Sequence, residues 1–166
     1  MEKPTAKRWI LIGVSVLLIC AMLAALLLYA ASDKIALSLG FYTKREYYSS
    51  GGIQDFTDYA KYHCLHAHTK RNKYFSAVTE DEMTALNQHL DDFEAWVRVA
   101  DRESKLATHY DFDRSVIDTQ DYVYIHDEYV ENTNVFGDVT DKVLTCYDVY
   151  FLDSQTQILY YFHNNI

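Results

Sequence analysis

Proline is all but missing from this chain, its single occurrence being Pro4. With 15 Tyr and 8 Phe alongside, that scarcity excludes a disordered stalk, whose composition is rich in Pro and poor in aromatics. Basic residues are also in short supply. After residue 31 there are 12 Lys+Arg against 23 Asp+Glu, a net charge of −11 within a chain total of −9, which argues against nucleic acid and anionic lipid headgroups as partners. Cysteine is limited to Cys20, Cys64 and Cys146. Cys20 reads as an ordinary apolar residue, so one disulfide is available, Cys64–Cys146, and closing so long a loop would stabilise by about 4–5 kcal/mol. Glycosylation acceptors of the N-x-[ST] type, G-x-S-x-G, the P-loop, the dinucleotide fingerprint, H-E-x-x-H and paired C-x-x-C are all missing, leaving no signature of hydrolase, nucleotide or zinc-protease chemistry.

Charge itself is missing from Trp9 to Ala31, WILIGVSVLLICAMLAALLLYAA. As a helix this run would be roughly 34 Å long against a hydrocarbon core of about 30 Å, and its seven Leu, three Ile and two Val each favour insertion. It is too long for the apolar region of a cleaved signal and ends in a poor cleavage match. The expectation is a retained single-pass anchor at the cell membrane. Lys7 and Arg8 border the run and place a tail of residues 1–8 inside and the later domain outside.

Beyond the anchor, Ile35, Ala36, Leu39 and Tyr42 are spaced to carry a helix somewhat further. Ser49-Ser50-Gly51-Gly52 is a breaker, so residues 32–52 read as juxtamembrane segment and linker, and 53–166 as one extracytoplasmic domain. The stretch 53–76 reads as irregular with short helical pieces. Thr79-Glu80-Asp81-Glu82 is a capping box with Val78 and Met83 at the staple positions. Met83, Leu86, Leu90, Phe93, Val97 and Ala100 follow as one apolar stripe, predicting a helix from 80 to about 102 with a Glu94–Arg98 pair on its outer face. The period then changes to two. Tyr122–His126, Val143–Leu152 and Gln157–His163 read as strands, with 132–141 a loop and Asp153–Thr156 a hairpin turn. The fold expected is α+β: a transmembrane helix, then one long amphipathic helix packed on an antiparallel meander of three or four strands.

The runs KYFSAVTEDEMTALNQHLDDFEAWV, YDFDRSVIDTQDYVYI and YDVYFLDSQTQILYYFHNNI resemble small, membrane-anchored, uncharacterised proteins of Clostridia-type Gram-positive bacteria. The resemblance covers most of the domain and implies a source and a topology. It implies no activity, ligand or site residue.

Two groups of residues carry candidate chemistry. His63-Cys64-Leu65-His66-Ala67-His68 concentrates nitrogen and sulfur donors, and Cys64, His66 and His68 project to one side of an extended segment, a set suited to Zn²⁺ or Cu²⁺. Tyr122, Tyr124, Tyr150 and Tyr160, if they share the sheet face away from the helix, make an aromatic platform for a protein, peptide or glycan. The competing reading of those tyrosines is that a second helix or the 53–76 segment covers them. Asp111-Phe-Asp113-Arg-Ser115 starts like a calcium loop but has Val116 and Tyr122 where Gly and Glu are required. Asp127, Glu128 and Glu131 read as a charged strand end rather than an acid–base pair. The sequence thus points to a non-enzymatic, membrane-anchored binding domain, with a metal-binding protein built on Cys64, His66 and His68 as the alternative.

Overall fold

The computed structural model describes residues 13–23, 33–51, 56–100, 104–133 and 139–165. They divide into two compact units, Met1–Lys34 and Ile35–Ile166. In the first, residues 13–23 are helical. Among the described residues no helix is long and apolar enough to cross a membrane. This overturns the expected transmembrane helix over 9–31, of which 9–12 and 24–31 lie outside the described residues, as does the tail 1–8.

The second unit opens within the short helix α1 (Lys34–Ser38), from Ile35 on, and runs through β1 (Tyr42–Gly51), β2 (Phe56–Cys64), β3 (Ser76–Ala77), α2 (Glu80–Val99), α3 (Lys105–His109), a 3-10 turn (Arg114–Val116), β4 (Tyr122–Thr133), β5 (Val139–Asp153) and β6 (Ile158–Asn165). The strands form one antiparallel sheet in the order β1-β2-β6-β5-β4-β3. The fold is therefore α+β with six strands, not three or four. The difference lies in β1, β2 and the two-residue β3. The expected juxtamembrane segment and linker of 32–52 contains an edge strand, and the expected irregular stretch contains the strand that pairs with β6.

α2 starts where its signals place it. Thr79 Oγ1 accepts from the Glu82 amide at 3.4 Å, and Glu82 reaches back to the Thr79 amide at 3.3 Å, satisfying two donors that every helix start leaves over. Leu86, Leu90 and Phe93 are buried and Met83 and Val97 pack beside them. They meet one sheet face through Tyr59, Phe162, Val149, Phe151 and Tyr147. The expected Glu94–Arg98 pair gives way to a tertiary one: Glu94 accepts from Arg114 Nε and from the Tyr110 hydroxyl, both at 3.0 Å.

The opposite sheet face is closed at one end by α1 and the segment that follows β2. Ala36, Leu39 and Phe75 bury Ala60, Tyr62, Tyr150, Leu152 and Leu159. Backbone bonds clasp the two covering pieces together: the His68 amide donates to the Leu39 carbonyl at 2.7 Å and the Leu65 amide to that of Phe41 at 3.0 Å. Gly40 makes this approach possible. Its φ is +126°, a conformation side chains rarely adopt, and a Cβ there would lie a tight 3.2 Å from the His66 carbonyl and 3.3 Å from the His68 ring.

Candidate functional site

The register of the sheet lines up residues that are remote in sequence. Under the C-terminal half of α2 runs the row Asp127–Tyr147–Asn164–Thr57–Ser50, one residue from each of β4, β5, β6, β2 and β1. Asp92 on α2 gathers its middle. The Tyr147 hydroxyl donates to Asp92 Oδ2 at 2.9 Å and the Asn164 amide to the same oxygen at 3.2 Å, while Thr57 Oγ1 donates to Asn164 Oδ1 at 2.9 Å. Burial, with Asp92 beside it, pushes the Tyr147 hydroxyl well above the ordinary tyrosine range, so it serves as a fixed donor.

A cleft opens at each end of this row. The first, about 310 Å³, lies between α2 and β4–β5 and is lined by His89, Asp92, Asp127, Tyr129 and Tyr147 among others. His89 Nε2 is 2.9 Å from Asp127 Oδ1, and its Nδ1 is 2.8 Å from the Ala85 carbonyl. Both ring nitrogens face oxygen atoms within hydrogen-bond distance, which fixes the plane of the ring.

The second cleft, also about 310 Å³, sits where the end of α2 overhangs the ends of β1, β2 and β6. Ser50, Gly51, Phe56, Thr57, Trp96, Val99, Ala100, Asn164 and Asn165 line it. Val99 is 74% exposed and Trp96 38%, and among the described residues none that lines the cleft carries a charge. Such a cleft, apolar with a few fixed polar groups, has the make-up of a small-ligand site.

The candidates read from the sequence are placed differently. Tyr122, Tyr124 and Tyr150 share the face away from α2, but Tyr160 packs on the α2 side against Phe112 and Phe151. Tyr161 takes its place, with ring centroids 4.6 Å from Tyr150. The platform is also covered. Tyr150 is buried, and Tyr74 and Phe75 stand 5.5 and 6.2 Å from Tyr124, as the competing reading had it.

His63 turns to the α2 face and bonds Glu46 at 2.8 Å, Cys64 is half-buried with its thiol pushed up by burial, and His66 and His68 pack edge to face. Among the described residues no group of three or more His, Cys, Asp or Glu is placed to hold a metal ion. The Cys64–Cys146 disulfide that the cysteine count allows is not formed. Both thiols are unbridged, and Cys146 stands in register with Asn165 and Phe56, eight positions from Cys64 along β2. That is roughly 26 Å at the rise of a strand, where a bridge needs Cα atoms within about 7 Å.

One constellation had no signal in the sequence. On the face away from α2, the row beyond the tyrosines is His126–Asp148–His163–Asp58. Asp148 Oδ1 accepts from His163 Nδ1 at 2.9 Å and from the Tyr161 hydroxyl at 2.7 Å. Although burial opposes them, these bonds hold the Asp148 carboxyl below its ordinary value. Cys146 Sγ lies 3.9 Å from the same Nδ1. Burial, with Asp148 and Glu128 nearby, pushes its thiol up to about 11, the reverse of an activated nucleophile.

Set against family models, curated proteins and solved structures, the chain matches none of them.

Proposed function

We propose that the unit Ile35–Ile166 is a non-enzymatic binding module whose ligand is an uncharged glycan held in the cleft at the end of α2. The observation that carries this reading is the lining: an exposed indole and a phenyl ring beside serine, threonine and asparagine, with no charged side chain among the described residues, on a strongly acidic protein. An indole offers a flat apolar face to the C–H face of a sugar ring, and amides and hydroxyls bond its hydroxyls without having to neutralise anything. Asn164 is fixed beforehand by Asp92 and Thr57, which lowers the ordering cost of binding. Burial raises the thiols of Cys64 and Cys146, which speaks against either as a nucleophile.

Tryptophan occurs only as Trp9 and Trp96, so the full chain carrying Trp9→Phe reports on the cleft alone. Titration with neutral oligosaccharides is expected to change its fluorescence saturably, and a Trp96→Ala chain followed by calorimetry is expected to lose the binding. Binding that persists in Trp96→Ala, or that is confined to charged sugars or peptides, would sink the reading.

A further inference from the structure

The sheet ends in two open edges that differ in charge. Among the described residues β1, ten residues long, is paired on one side only, with β2. β4 has twelve residues, and β3 pairs with just the first two. Beyond them no described strand lies on that side of β4, and a cleft lined by Ser76 and Ile125 among others opens where β3 stops. Edges of this length are templates for a further strand. β1 carries the adjacent cations Lys44 and Arg45, an exception on a strongly acidic chain, whereas β4 carries Asp127 and Glu128. The side chains of Lys44 and Glu128 are 62% and 64% exposed.

Each strand runs antiparallel to its neighbour along β1-β2-β6-β5-β4, so β1 and β4 point the same way. A second copy that continues the sheet, with its α2 on the same side, therefore lays its β1 parallel to β4. Setting Lys44 beside Asp127 then brings Arg45 beside Glu128, and Tyr47 beside Val130, both of them exposed. The faces agree at each step. Lys44 and Asp127 lie on the α2 side, where they meet Glu46 and His89. Arg45, stacked over Tyr62 at 5.5 Å, and Glu128 lie on the other. The run is also regular on both strands: β1 shifts register only before Lys44, and the shift at Glu128/Tyr129 puts its extra residue on β5, between Leu144 and Cys146. Pairing β4 with another β4 would instead set carboxylates against carboxylates.

We propose that the β1 edge of one copy pairs with the β4 edge of a second copy, Lys44 and Arg45 against Asp127 and Glu128. Backbone bonds supply the affinity, while the charges and the Tyr47–Val130 contact select partner and register. Because the two patches differ, the contact is head to tail. Every added copy leaves one edge of each kind open, so the assembly grows as an open array rather than closing as a dimer. The association does not depend on what occupies the cleft under Trp96.

The test is sedimentation velocity of the full chain over a rising concentration series, in non-ionic detergent so that the apolar run 9–31 does not itself hold copies together. The average size is expected to keep rising past the dimer. Arg45→Glu and Glu128→Arg, both at exposed positions, should each weaken association at least tenfold. An equimolar mixture of the two should restore it, because the reversed β1 of one variant then meets the reversed β4 of the other. Should Arg45→Glu fail to fold, Val130→Asp decides the matter, since it sets a carboxylate against Tyr47 and should weaken association to a similar degree. The proposal is overturned by a chain that stays monomeric, by association that stops at a dimer, by association that Val130→Asp leaves unchanged, or by association that only one of the two charge reversals affects.

Discussion

Removing the Tyr147 hydroxyl probes the polar row under α2 without disturbing the core around it. Tyr147→Phe keeps a ring that is fully buried and deletes only the donor 2.9 Å from Asp92 Oδ2. A hydrogen bond to a charged group contributes about 1.5–3 kcal/mol, and Asp92 keeps the Asn164 amide at 3.2 Å, which places the loss near 2 kcal/mol. For a domain of this size that is a drop in Tm of roughly 8 °C. Urea unfolding followed by near-UV circular dichroism measures it directly. A double-mutant cycle with Asp92→Ala should return a coupling of about 1–2 kcal/mol, because the two side chains share one bond. A variant within about 0.5 kcal/mol of the wild type, or strict additivity in the cycle, would refute the argument that this row is held by Asp92.

Two further outcomes follow from other parts of the sheet. Hydrogen bonds from His63 and Lys44 lower the Glu46 carboxyl to about 2 from 4.5. A depressed folded-state value gives stability that is present above the unfolded value and lost as pH falls toward the folded one. Screening at this edge strand limits the contribution to about 1 kcal/mol, so between pH 5 and pH 2 urea melts should show wild type losing that much more than Glu46→Gln; parallel profiles would count against the pair. Gly40→Ala should destabilise by at least about 2 kcal/mol, since it combines a positive φ with contacts at 3.2 and 3.3 Å; an unchanged Tm would mean that the clasp between α1 and the segment after β2 is not as drawn.

The parts of the fold that could be read in the sequence are those whose signals are local. Thr79 and Glu82 announce the start of α2 within four residues, the stripe from Met83 to Val97 identifies its buried face, and Asp153 caps the β5–β6 turn by accepting from the Gln155 and Thr156 amides. β1 and β2 hid because their burial is carried by tyrosines among Lys, His and Asp: Tyr59 and Tyr62 are fully buried, yet the strand around them shows no apolar alternation. The missed β2 also concealed the candidate sites. Thr57 and Asp58 acquire their neighbours only through pairing with Asn164 and His163, a register that no local pattern encodes. Parity shows how sharp that dependence is. Tyr160 and Tyr161 differ by one position and therefore by a whole sheet face, so a platform assembled from sequence took the wrong one.

The central pairing of the sheet also sets the order in which the chain can fold. β1 with β2, and β4 with β5 and β6, are neighbours in sequence, but β2 joins β6 across separations from 95 positions for His63–Ile158 to 109 for Phe56–Asn165. Closing a loop of that length costs roughly 4 kcal/mol of chain entropy before any contact repays it. The hairpin and the meander are therefore expected to form early and their meeting along β2–β6 to be the slow event, placing refolding in the millisecond-to-second range typical of non-local sheets. Substitutions along that seam should slow folding, whereas those at the β5–β6 turn should act mainly on unfolding.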